Sequence, residues 1–144
     1  MIEQDTIKLL RECDAGIRMG VDSIDDVLPH VRARELKSIL SESKHAHEKL
    51  NCEIREALHR FRDEGKDPNP LVKGMSHIKT EMKLGLDHSD ATIADLMTEG
   101  CNMGVKSLSR YLNQYAAADE KSKDVCKKLI KLEEQLSVDM RDFL

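Results

Sequence analysis

Tryptophan is absent from this 144-residue chain, and only two phenylalanines and two tyrosines are present. A core built from it must therefore rest on Leu, Ile, Val and Met. Such aliphatic, highly charged chains, here 40% apolar and 35% charged, are typically helical rather than β. Proline is scarce at three residues, and two of them stand together in Gly65-Lys66-Asp67-Pro68-Asn69-Pro70, which reads as a linker. Four cysteines, Cys13, Cys52, Cys101 and Cys126, form no C-x-x-C pair, which excludes a zinc ribbon and a thioredoxin-type motif. No apolar run approaches the ~18 residues of a membrane span, and Met1-Ile2-Glu3-Gln4-Asp5 leads directly into a charged helical pattern. A soluble protein of the cytoplasm, without membrane association, is expected. The formal charge of −4, with 23 basic and 27 acidic residues spread along the chain, leaves no basic footprint for nucleic acid. Gly-rich phosphate loops, nucleophile elbows and H-E-x-x-H are also missing, which disfavours nucleotide-binding enzymes and hydrolases.

What is present is helical periodicity. Ile7, Leu10, Asp14, Ile17, Val21, Ile24 and Leu28 recur at steps of three and four, predicting a first helix over about 4–28. Pro29 and His30 break it. Leu36, Leu40, Ser43, His47, Leu50, Ile54, Ala57 and Phe61 mark a second helix over about 31–64, stopping before Gly65. Beyond the linker, Leu71, Met75, Ile78, Met82 and Leu86 predict a short helix over 71–86, and Asp87-His88-Ser89-Asp90 supplies capping side chains for the next. Lys73, Lys79 and Lys83 beside Met75 and Met82 suit a segment that detaches to bind a partner or a membrane surface, although a covering role over the core suits its modest apolar face and Glu81 better.

Ile93, Met97, Gly100, Gly104, Leu108, Tyr111 and Tyr115 define a helix over 90–116, with two glycines where another backbone can approach. Val125, Leu129, Leu132, Leu136, Met140 and Phe143 define the last, over 120–143, with Asp119 and Glu120 at its positive end. The expectation is one domain spanning 1–144: an all-α, antiparallel four-helix bundle with an extra short helix in the crossover between its second and third long helices. Short turns make hairpins, and a crossover of about 25 residues can traverse the bundle, favouring up-down-down-up.

Two ionisable residues interrupt the apolar stripes. Asp14 and His47 fall nearly level if the first turn centres near residue 30, so a buried Asp–His pair is expected, which would fix helix register without doing chemistry. The functional alternative gathers Asp14, His47, Glu99 and Glu133 around one or two metal ions; Cys101 and Ser43 stand near the same height. Two Glu-x-x-His pairs, Glu42 with His45 and Glu56 with His59, match the spacing of di-iron ligands, but their phase turns them outward. His45, Cys52 and His59 repeat every seven residues, about 10.5 Å apart on a helix, too far to share an ion. In the last helix Glu133-Glu134-Gln135-Leu136 has leucine where a second Glu-x-x-His needs histidine.

Several stretches carry a family likeness: Lys44-His45-Ala46-His47-Glu48-Lys49-Leu50, Asn69-Pro70-Leu71-Val72-Lys73-Gly74-Met75-Ser76, the run from Gly100 to Leu108, and Leu132-Glu133-Glu134-Gln135-Leu136. On these the chain resembles bacterial ferritin-like four-helix-bundle proteins, in particular an uncharacterised group with clostridial members. That resemblance implies the bundle fold and, in relatives that oxidise iron or reduce peroxide, a di-iron centre of carboxylates and histidines. Leu136 in the histidine place, and His47 rather than His45 on the inner stripe, depart from that set. The expected function is thus a non-catalytic or degenerate-site interaction or stress-related protein that associates with itself. No catalytic residue and no cofactor is expected on this reading; the alternative is a metal-dependent oxidase or peroxidase holding iron or another divalent ion at the four tentative ligands.

Overall fold

A computed structural model describes residues 2–61 and 89–144. Among them the structure is all-helical, with no strand. Four long helices, α1 (Ile2–Val27), α2 (Arg34–Arg60), α3 (Asp90–Gln114) and α4 (Glu120–Met140), are accompanied by single 3-10 turns at Leu28–His30 and Arg141–Phe143. The expected helix over 71–86 and the linker at 65–70 lie outside the described residues.

Local chemistry accounts for the helix ends. Pro29, inside the 3-10 turn, cannot donate to a continuing α-helix, so the chain leaves α1 and passes through extended backbone before α2. The two amides just before α2 are satisfied by a distant residue: Arg32 and Ala33 N–H donate to the two carboxylate oxygens of Asp90, each at 2.9 Å. Ser89 caps α3, its Oγ accepting from Thr92 N–H at 3.2 Å, and Asp119 caps α4, accepting from Ser122 N–H at 2.8 Å. At the opposite end of the molecule, Asp5 accepts from Ala117 N–H and Thr6 Oγ1 from Asp119 N–H.

The helices pack most extensively as the pairs α1–α2 and α3–α4, with α2 also against α4 and α1 against both α3 and α4. Their apolar residues separate into two blocks. One contains Leu9, Leu10, Ile17, Leu50, Ile54, Leu58, Leu108, Val125 and Leu129. The other contains Ile24, Val27, Leu36, Leu40, Ile93, Met97, Leu136 and Met140. On every helix one stretch falls between the blocks, and those stretches hold Gly20, His47, Gly104 and Glu133. The middle of each predicted seam is largely buried, but Ser43 and Leu132 are half-buried, as are the outer positions Ile7, Leu28, Phe61, Tyr115 and Phe143 and also Val21, Ala57, Gly104 and Tyr111, and Gly100 is exposed.

Candidate functional site

The four stretches between the apolar blocks meet at one side chain, Glu133 of α4. His47, 1% exposed, comes from α2 and places Nε2 2.9 Å from Glu133 Oε1. Its other ring nitrogen, Nδ1, lies 2.7 Å from the Ser43 carbonyl oxygen one turn back. A carbonyl can only accept, so Nδ1 carries a proton. The Nε2···Oε1 contact must then hold a further proton between imidazole and carboxylate, because two bare acceptors would repel at that distance. The pair is accordingly a shared-proton contact in an interior of low polarity. Burial by itself pushes the His47 imidazolium toward losing its proton, but the hydrogen bond and charge of Glu133, with the Ser43 carbonyl, outweigh it and hold its pKa above the ordinary 6.5.

The other two helices make room for this carboxylate. A Cβ added at Gly104 of α3 would stand 3.3 Å from Glu133 Oε2, and one at Gly20 of α1 would stand 3.7 Å from Oε1 and from His47 Cδ2. A methyl group at 104 is therefore a tight fit that the carboxylate must yield to, whereas at 20 it would make ordinary van der Waals contact. We expect Gly20→Ala to be neutral or to stabilise by up to ~1 kcal/mol through helix propensity. Gly104→Ala should give back that gain by pressing on a carboxylate that His47 holds in place, and should melt at least ~1 kcal/mol less stable than Gly20→Ala in urea. Equal midpoints for the two variants would contradict this packing.

Cys101, buried on α3, completes the layer. Burial first, then the charge and hydrogen bond of Glu133, push its thiol well above the ordinary range, so it stays protonated and donates to the carboxylate.

Asp14 occupies a different place from the one its spacing suggests. It is fully buried, yet its partner is not His47. Asn51 Nδ2 donates to Asp14 Oδ1 at 2.8 Å, Arg55 Nε stands 3.3 Å from the same oxygen, and Arg18 approaches Oδ2 at 3.3 Å without the alignment of a hydrogen bond. The expected Asp14–His47 contact is corrected for a simple reason. The residue pairs 20/47, 14/51 and 25/44 across α1 and α2 place the hairpin's midpoint near 33–34 rather than 30, because the 3-10 turn and the extended residues after it lengthen the connection. Asp14 is thereby shifted more than a full turn past His47.

The four tentative metal ligands are therefore not brought together. His47 and Glu133 touch, Asp14 is held among two guanidinium groups and an amide, and Glu99 is exposed. Among the described residues no group of three or more His, Cys, Asp or Glu side chains is arranged to hold a metal ion. The donor set implied by the ferritin resemblance is incomplete here: of the four residues only His47 and Glu133 meet, with the Cys101 thiol beside Glu133. Glu42, His45, Glu56 and His59 are exposed, as their phase predicts, and so is Cys52.

Asn51, Arg18 and Gly20 carry much of this arrangement and were not evident from spacing. The only signal for Gly20 is its cost, a glycine inside a helix where alanine would be favoured. No helix among the described residues is long and apolar enough to cross a membrane. In comparisons with protein-family models, curated proteins and solved structures, the chain matches none.

Proposed function

We propose that this protein is a ferritin-like antiparallel bundle with a degenerate interior site, working in the cytoplasm as a non-catalytic interaction or stress-related protein that associates with itself. Support for the arrangement comes from residue pairing. Along α1 and α2 the partners run in opposite senses, 14 with 51 and 25 with 44, as they do along α3 and α4, 104 with 133 and 108 with 126. Along α1 and α4 they run together, 6 with 119 and 20 with 133, which supports an up-down-down-up order.

The observation that carries the functional reading is the saturation of His47. Among the described residues His47 is the one buried histidine, and both its ring nitrogens are engaged within the chain, by Ser43 and Glu133, so this arrangement leaves it no free lone pair. Support for self-association is slighter: Met103 on α3 and Val138 on α4 are large hydrophobic side chains left 66% and 44% exposed.

Elemental analysis of protein purified without chelators, followed by anaerobic Fe(II) loading and exposure to air or peroxide, tests the interior. We expect substoichiometric metal and no oxidation above buffer. Stoichiometric iron that disappears in His47→Leu would instead establish the oxidase or peroxidase alternative. Light scattering tests the surface, with an expected mass of at least twice 16.4 kDa; a monomer at high concentration would remove self-association.

A further inference from the structure

The four cysteines are far apart in sequence, but the fold brings two of them into contact. Cys13 of α1 and Cys126 of α4 are both 0% exposed and belong to the same apolar block, among Leu9, Leu10, Ile17 and Leu129. They stand level on α1 and α4, in the register that pairs 6 with 119 and 20 with 133; the Cys13 thiol donates to Cys126, whose own thiol donates to the Leu108 carbonyl oxygen at 3.9 Å. Both thiols are free. This site is separate from the Glu133 layer and does not depend on how that layer is read.

We propose that Cys13 and Cys126 form a modification site, a buried dithiol that a hydroperoxide converts into an intramolecular disulfide tying α1 to α4. The two sulfurs are not equivalent. The hydrogen bond from Cys13 holds the Cys126 thiol below its ordinary pKa, whereas Cys13, bonded to Cys126 and buried, is pushed well above its own. In this scheme Cys126 supplies the attacking sulfur once the bundle opens and Cys13 resolves it, a division of labour that adjacent cysteines use in redox motifs.

In the first step the Cys126 sulfur attacks the terminal peroxide oxygen and the O–O bond breaks. Cys126 becomes a sulfenic acid, and the peroxide's other oxygen leaves as water, or as an alcohol from an organic hydroperoxide. In the second step the Cys13 sulfur attacks the sulfenic sulfur, the S–S bond forms and the S–O bond breaks. The oxygen leaves as water with the Cys13 proton. Two thiols are oxidised by two electrons in total, one peroxide is reduced, and a small thiol reverses the change by exchange. Because neither sulfur reaches the surface, the reaction proceeds through local opening of the bundle and is slower than oxidation of the exposed Cys52. Cys101 does not compete, since it is held as a neutral thiol by burial and Glu133.

The test uses the full chain carrying Cys52→Ser, treated with hydrogen peroxide while folded, then denatured, blocked with iodoacetamide and digested with trypsin without reductant. The expected product is a monomer about 2 Da lighter in which two of the three remaining thiols resist blocking. One linked pair of peptides, 12–18 with 124–127, should appear and should vanish after dithiothreitol. Adding Cys126→Ala should abolish the link; adding Cys13→Ala should leave Cys126 to collect oxygen, about 32 Da as a sulfinic acid. Circular dichroism checks that both variants fold, and the cross-link map of the Cys52→Ser protein decides the matter should either fail to. Unchanged Cys13 and Cys126 at peroxide doses that oxidise wild-type Cys52, or a disulfide to Cys101, would overturn the proposal and leave both residues as small core hydrophobes.

Discussion

Replacing His47 with leucine should lower the free energy of unfolding by ~3–5 kcal/mol, the range for stranding one member of a buried ion pair. Glu133 would lose its 2.9 Å partner while its carboxylate stays enclosed by Gly20, Gly104 and Cys101. Removing the carboxylate as well, in His47→Leu with Glu133→Leu, should recover much of the loss, because a matched apolar layer strands no charge. Urea unfolding of the two single variants and the double variant measures the coupling directly. Additive effects would mean that the two side chains do not depend on each other. The same pair sets a pH dependence. The His47 pKa is raised on folding, so its stabilising contribution is complete below the unfolded value of 6.5 and is lost as pH rises through the higher folded value. Wild-type melting temperature should therefore fall on the alkaline side of pH 6.5, and His47→Leu should not show that component.

Asp14→Ala should cost ~2–3 kcal/mol, less than His47→Leu although Asp14 is the more completely buried residue. The truncation removes a charged hydrogen bond to Asn51, in the class worth about 1.5–3 kcal/mol, together with its packing. What moderates the loss is that the positive partners are not trapped: Arg18 and Arg55 side chains are 27% and 43% exposed and can turn to water. Asn51→Leu should reproduce part of the effect and leave the arginines paired. A loss from Asp14→Ala as large as that from His47→Leu in thermal and urea melts would show that the guanidinium groups cannot escape.

The contrast between these two residues shows how far spacing reaches. Asp14 and His47 both stand on apolar stripes, and both are buried as that position requires. Their mutual pairing depended on where the α1–α2 turn centres, which is set by a 3-10 turn and a few extended residues that leave no periodic trace. A shift of about three residues at the midpoint moves the facing partner by about six, more than one helical turn. Glu133 illustrates the opposite problem. Its neighbours Leu132 and Leu136 define a seam, and the glutamate lies beside that seam, so only the placement of all four helices makes it the centre of the polar layer.

Glycine followed the same division. The spacing of Gly100 and Gly104 marks a face for close approach, but only Gly104 meets another chain segment, and Gly20, on a helix read for its apolar stripe alone, faces the same carboxylate. Cys13 and Cys126 are 113 positions apart, and nothing in their flanks pairs them.

By itself the sequence determined the helices, their capped ends and their inward faces, since those follow from contacts within a few residues: the 3.6-residue period, the caps at Ser89 and Asp119, and the break at Pro29. Tertiary structure alone decided which inward polar groups meet. Pairing across helices depends on register and rotation summed over the connections, and a proton shared by His47 and Glu133, or a dithiol of Cys13 and Cys126, exists only after those have been fixed.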